Sequence, residues 1–364
     1  MDGSPWGGSE ELWGQTASRL KQEGHEVWAS VECWPRLADQ VTRLAEQGID
    51  IQTHSSRRPQ PRRRVWNRFT DYNGDSFARL KKFNPSLVVI SQGHNEGGFQ
   101  WAKACREHGL PYVMIVQCNS ELWWFRSRLE DAVASYTAAR RVYCVSRRNL
   151  DQLRLQLGEP LQNAEVVWNP CKVSPDCPSV WPDPGTRMRL ACVARLDIAA
   201  KGQDLLLQVL ARPEWHTRPI ELNFFGAGAD ETILRRMASM LHLDHVYFRG
   251  HVADVRAIWE QNHLLILPSR YEGLPLVLIE AMRCARPSVV TDIGGNAELC
   301  VDNETGFVAP APTVNFVNEA LQRAWQRVED WRGIGQSART RVEELVPKDP
   351  VGVFCDHLMS CVSA

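Results

Sequence analysis

Two runs of short apolar segments alternating with helical patterns, separated by a proline-rich break, limit what this chain can fold into more than any other feature. In the first half, Leu12 to Glu23 reads as a helix and His25 to Val31 as a strand. Leu87 to Ser91 reads as a buried strand, and Tyr112 to Val116 and Val142 to Val145 repeat the strand signal. The second half restarts the pattern. Strands are expected near Leu190 to Ala194 and over Glu221 to Phe225, Leu264 to Leu267 and Ser288 to Thr291, with helices from Asp204, Glu231 and Leu274. Such alternation is the sequence sign of parallel sheets covered by helices, so the expected class is α/β, doubly wound in each half. Between Asn169 and Pro184 stand Pro170, Pro175, Pro178, Pro182 and Pro184 with no sustained period, which reads as a linker. The predicted division is residues 1–168, a linker at 169–185, a second domain at 186–345 and a terminal segment at 346–364. A length of 364 residues agrees with two cores rather than one.

Composition excludes several classes. Hydrophobic residues make up 44% and charged residues 23%, near the averages for globular proteins, and the net charge of -1 offers no bulk attraction to nucleic acid. No run approaches the roughly 18 apolar residues of a membrane span, so any membrane contact would be peripheral. The eleven cysteines lack regular spacing or a CxxC pair, which reads as reduced thiols and a cytoplasmic setting. Trp123 and Trp124 could line a sugar cleft or simply pack. Arg57, Arg58, Arg62, Arg63, Arg64 and Arg68 occur with no acidic residue between them. They suit an acidic acceptor or peripheral contact with an anionic inner membrane surface, and equally a solvated loop.

Ligands of doubly wound sheets sit at the carboxyl ends of strands, so the loops there carry the information. The run Tyr271-Glu272-Gly273-Leu274-Pro275 follows an expected strand and leads into Leu276 to Met282. Pro275 suits a first helical turn, leaving the amides of Gly273 and Leu274 as outward donors able to hold a diphosphate. Glu280 lies behind four consecutive apolar residues, so its carboxylate is costly without a partner, which a ribose diol would supply. Glu272, nearer the loop, could take hydroxyls of a transferred sugar.

Glu272 and Glu280, eight positions apart around Gly-Leu-Pro, resemble the E-x7-E signature of retaining glycosyltransferase family 4. The likeness implies a GT-B fold, two Rossmann-like domains facing a central cleft. It also implies a last helix, here the apolar Val351 to Met359, crossing back to the first domain. In that family the first Glu contacts the donor sugar and the second the ribose. Arg195 and Lys201-Gly202 are similar to its Arg and Lys pair, which grips the diphosphate. Phe225-Gly226-Ala227-Gly228 resembles the loop passing close to the nucleotide, and Phe248 to Val252 the segment holding the base, with Val252 as an apolar wall. Pro5-Trp6-Gly7-Gly8-Ser9-Glu10 resembles the glycine loop facing the donor phosphates. Gln117 stands where many members carry a His near the reaction centre, a departure that leaves an amide able to bind a sugar hydroxyl. His94, Asn95 and Glu96 fall at another strand end and are candidate acceptor contacts or a solvated loop.

The expected reaction is transfer of a hexose-type sugar from a UDP- or GDP-sugar to a hydroxyl of a carbohydrate, lipid or other acceptor. Retention of anomeric configuration follows from the resemblance. With no Asp-x-Asp motif in the chain, neither a metal nor another cofactor is expected. A GT-B nucleotide-sugar epimerase and a silent nucleotide-sugar-binding module are the alternatives. In the family the glycine loop follows a first strand, whereas Met1 here stands six residues before Gly7. The strands at His25 to Val31 and Leu87 to Ser91 are therefore expected to lack a shared neighbour, and the chain to be shortened at its start, with a first domain less stable than the second; the alternative is that the strands shift together and close the gap.

Overall fold

The computed structural model describes residues 6–32, 37–54, 74–183 and 185–363. The run Arg57 to Arg68 lies outside them.

The second half forms one six-stranded parallel sheet. Its strands are β7 (Met188–Val193), β8 (Ile220–Phe225), β9 (Val246–Gly250), β10 (Leu264–Leu267), β11 (Ser288–Thr291) and β12 (Phe307–Ala309), numbered along the whole chain. Their spatial order is β12-β11-β10-β7-β8-β9. The chain therefore winds one way from β7 and then the other from β10, which makes the β7–β10 boundary the topological switch point. β7 and β10 pair only at Leu264 with Leu190 and Leu265 with Ala191, and the two leave the ladder beyond that point. β10 and β11 are buried along their full lengths, as apolar strands covered on both faces should be. Alternate residues feed opposite cores: Leu190, Leu264 and Ile266 join Phe224 and Trp331 on one side, while Ala191, Leu265 and Leu267 join Leu278 and Ala338 on the other.

The first half is built in two pieces. β1 (Trp28–Glu32) and β2 (Asp50–His54) make a two-stranded parallel sheet. β3 (Val88–Gln92), β4 (Tyr112–Val116), β5 (Arg141–Cys144) and β6 (Ala164–Val166) make a separate parallel sheet in sequential order. Among the described residues no strand joins β1 to β3. Residues 169–183 contain no helix or strand. The last helix, Pro350–Ser363, lies on the first half, where Phe354, Leu358 and Cys361 pack with Leu12, Val113 and Tyr143. Arg19 donates to Asp349 at 2.5 Å, and Arg140 to the Cys361 carbonyl, at the same seam. The α/β class with two Rossmann-like units is the fold found; the strands that local pattern did not disclose are β2, β6, β9 and β12.

Candidate active site

Two loops of the second half meet at the switch point, one after β7 and one after β10. In the first, the Asp197 side chain caps the short helix Ile198–Lys201 by accepting from the Ala200 amide at 3.2 Å. Gly202 ends that helix at φ 64°, and a methyl group there would collide with the Pro268 carbonyl, so only glycine lets the two loops touch. That contact brings Lys201 to the loop after β10, where its Nζ lies 2.6 Å from Glu272 Oε1. Ser269 Oγ donates to the same carboxylate oxygen at 2.7 Å. Arg195 leaves the end of β7 half-buried, its Nη2 at 3.1 Å from Asp197 Oδ2. Lys201 and a fixed carboxylate thus meet, with Arg195 on the same loop as Lys201, at the place where this fold class holds its ligands.

Pro275 stands as the N-cap of the helix Leu276–Arg283, one position before the first helical turn. The chain over Glu272-Gly273-Leu274 is therefore a loop, and the helix expected from Leu274 begins at Leu276. Glu280 is buried, its Oε1 accepting from the Lys172 amide of the connecting segment at 3.2 Å. Burial pushes its pKa above the ordinary carboxylate range, opposed by that hydrogen bond. Gly226 closes the floor: its amide donates to the Gly250 carbonyl at 2.8 Å, and any side chain would strike the Ala194 carbonyl. This stacks the loop after β8 on Arg195 and next to the end of β9, beyond which Val252 packs half-buried on the core.

The first half meets these loops at several points. The Gly7-Gly8 loop lies over the helix start, since an added Cβ at Gly8 would come 3.1 Å from Leu276. Glu10 accepts from the Gly7 amide at 2.8 Å and fixes the loop; burial raises its pKa despite that bond. Gln117, at the end of β4, presents its carbonyl so close to Gly273 that no larger residue fits there. Its side-chain oxygen accepts from Asn169 at 2.6 Å, tying the end of β4 to the first residue of the connecting segment. Cys118 is next to it, and burial pushes that thiol up to about 12, which keeps it protonated and unsuited as a nucleophile at neutral pH. His94 and Glu96 are half-buried at the end of β3 and Asn95 is fully buried, so Asn95 reaches Gln156 rather than the cleft.

The sequence pointed to the loops but not to several of their supports. Ser269, three residues ahead of Glu272, was within reach of a local reading as a strand-end hydroxyl. Asn149, whose Nδ2 donates to the Glu272 carbonyl at 3.4 Å, and Glu298, which accepts from the Arg147 and Arg148 amides at 3.0 and 2.8 Å, come from distant chain segments. No local signal marks them. Among the described residues no cluster of His, Cys, Asp or Glu is arranged to hold a metal ion, and no helix is long and apolar enough to cross a membrane.

Comparison with known proteins puts this geometry in a family. The family model described as Glycosyltransferase Family 4 matches residues 6–174, and that described as Glycosyl transferases group 1 matches residues 187–327. An uncharacterized glycosyltransferase of Haemophilus influenzae is 38% identical over 151 residues, 40% of this chain and 41% of its own length. The Vi polysaccharide biosynthesis protein VipC/TviE of Salmonella typhi is 36% identical over 123 residues, 32% of this chain and 21% of its own. The GDP-mannose-dependent phosphatidylinositol monomannoside mannosyltransferase of Mycolicibacterium smegmatis is 32% identical over 147 residues, 38% of each chain. The matched part thus spans about a fifth to two-fifths of these relatives. Among solved structures, Anabaena HepE in complex with UDP superposes at a TM-score of 0.76 over 99% of this chain and 98% of its own, at 16% identity. With its two halves matched by paired models of one kind, and its GT-B architecture, the chain belongs to glycosyltransferase family 4.

Proposed function

We propose that this protein transfers a hexose-type sugar from a nucleoside diphosphate sugar to an acceptor hydroxyl, with retention and without a metal. The observation that carries the reading is the meeting of Lys201 and Glu272 at the switch point, with Arg195 on the adjoining strand end. When the bond from the anomeric carbon to the diphosphate breaks, negative charge gathers on the leaving group and positive charge on the sugar. Lys201, Arg195 and the Gly273 and Leu274 amides would hold the first, supplying charge that other enzymes take from a cation. Glu272 would hold sugar hydroxyls, and Glu280 the ribose. Gly226 and Val252 would bound the nucleotide, and Gly7 and Gly8 would cover the phosphates from the other half. Gln117, His94 and Glu96 would face the acceptor, with Asn95 holding their loop from beneath.

Support for the donor class comes from relatives: HepE was solved with UDP-glucose, and the mycobacterial relative is named for GDP-mannose. Peripheral contact of Arg57 to Arg68 with anionic lipid rests on sequence alone. A thermal-shift screen of UDP- and GDP-sugars identifies the donor, because a ligand bound only by the folded chain raises its stability by mass action. Nucleoside diphosphate released only when acceptor is added supports transfer. Interconversion of sugar nucleotides without release would indicate epimerisation, and no turnover with any bound sugar nucleotide would indicate a silent module.

A further inference from the structure

Beyond the charged pocket, the loops after β3 and β4 carry an aromatic wall that donor chemistry leaves unused. The rings of His94 and Trp123 meet edge to face at 5.6 Å, and those of Trp123 and Tyr271 at 4.9 Å. His94 follows β3 and Trp123 follows β4, whereas Tyr271 belongs to the other half and directly precedes Glu272. The wall therefore crosses the cleft and ends beside the carboxylate that meets Lys201.

Its supports are buried and rigid. Gln156 donates to the carbonyls of Ser120 and Trp123, both at 2.7 Å, and its side-chain oxygen accepts from Asn95 at 2.9 Å. The Tyr136 hydroxyl donates to the Asn95 carbonyl at 2.7 Å. One buried amide thus locks the loop of His94 to the loop of Trp123, so the wall is formed before any ligand arrives and its ordering need not be supplied by binding.

We propose that this wall is the acceptor subsite for a sugar ring, with Trp123 as the surface on which the ring packs. The inference rests on the transferase reading and names the class of its acceptor. A pyranose has an apolar C–H face and a rim of hydroxyls. The wall offers the Trp123 ring with its indole N–H, and the Glu96 carboxylate stands on the same loop as His94. An alkyl chain would leave both of these polar groups unused.

Saturation-transfer NMR on the full chain tests it, with methyl β-D-glucopyranoside, methyl α-D-mannopyranoside and octyl β-D-glucopyranoside as probes. This readout does not depend on turnover. Ring-proton saturation is expected with at least one glycoside, with binding weakened about tenfold in Trp123→Ala, the size of a lost aromatic contact, and largely kept in Trp123→Phe. Trp123→Leu keeps apolar bulk for the fold and is expected to lose saturation as Trp123→Ala does. No ring saturation in the parent chain, equal saturation in the parent and Trp123→Leu, or saturation confined to the octyl chain would overturn the proposal. Glycoside bound through Trp123 in a chain that turns over no sugar nucleotide would refute the transferase reading, and with it the acceptor role, while the failure of glycoside binding in a chain that does turn over would refute this subsite alone.

Discussion

In the second half, β10 and β11 are buried along every residue, inside a sheet whose six strands pair without a break. In the first half, β1 is half-buried throughout and among the described residues pairs only with β2, and Val89 of β3 is 36% exposed. The charged loops that would grip a donor grow from the continuous sheet, where a displaced cation would lose the leaving group. The aromatic loops after β3 and β4 grow from the four-stranded sheet of the divided half and are tied to each other by side-chain locks such as Gln156. On one side of the cleft the loops are set by a close backbone approach, Gly202 against Pro268, and on the other by buried side-chain hydrogen bonds above the β3–β4 ladder.

The largest contrast should appear in stability. Phe224 is fully buried in β8, and Phe224→Ala is expected to cost about 3–5 kcal/mol. Val89→Ala should cost on the order of 1 kcal/mol or less, because much of that side chain already meets water. Denaturant titration of both variants checks this, and equal losses would erase the distinction between the halves. Hydrogen exchange sharpens it: the amides of β1 and β2 are expected to exchange well before those of β7 and β8.

Next in size is the exchange of stability for affinity at Glu280. Its raised pKa means that the folded chain binds this proton more tightly than the unfolded chain does. The associated stability is therefore greatest below the ordinary Glu value and falls as pH rises through the ordinary and then the raised value. At neutral pH the carboxylate is a cost to the fold. Glu280→Gln should thus raise the thermal midpoint and flatten that fall with pH, while donor affinity drops by roughly 1.5–3 kcal/mol, the worth of a charged hydrogen bond. A variant no more stable than the parent, or one with unchanged donor affinity, would contradict the role given to this residue.

Much of this was legible in the sequence because it is local. The apolar runs at Tyr112 to Val116 and Leu264 to Leu267 coincide with β4 and β10, since fully buried strands need unbroken apolar residues. β2, β6, β9 and β12 were not visible: β6 and β12 have three residues each, and Asp50, Gln52 and Arg249 break the apolar pattern of β2 and β9. The helix behind Glu272 starts later than the position of Pro275 suggested, and Gly273 lies in the loop ahead of it against the Gln117 carbonyl, a contact between distant segments. Spacing marked Glu272 and Glu280 as candidates, and the structure sets Glu272 against Lys201 and buries Glu280. Asn149 and Gln156 were not, because they sit mid-helix as ordinary polar residues until the fold brings the loops to them.

The smallest expected effect concerns how the halves stay together. Glu298 accepts from the first two amides of the helix Arg147–Leu157, and Arg148 meets Asp292 at 2.6 Å, both across the cleft. A carboxylate at a helix start is worth about 0.3–1 kcal/mol, so Glu298→Gln should open the cleft in only part of the population. Small-angle scattering is expected to show a slightly larger radius of gyration for this variant, restored by saturating nucleotide. Identical profiles would remove Glu298 from any part in closure.

The central claim is that Lys201, Arg195 and Glu272 form a donor site whose positive charge replaces a metal. It is tested most directly by nucleoside diphosphate release from the identified sugar nucleotide, with and without acceptor, in excess EDTA, for the parent chain and Lys201→Ala. The account predicts acceptor-dependent release that EDTA does not change and that Lys201→Ala lowers by about 10²–10³-fold, as for loss of one preorganised donor to a developing anion. Activity abolished by EDTA and restored by magnesium or manganese, or a Lys201→Ala variant as active as the parent, would contradict it.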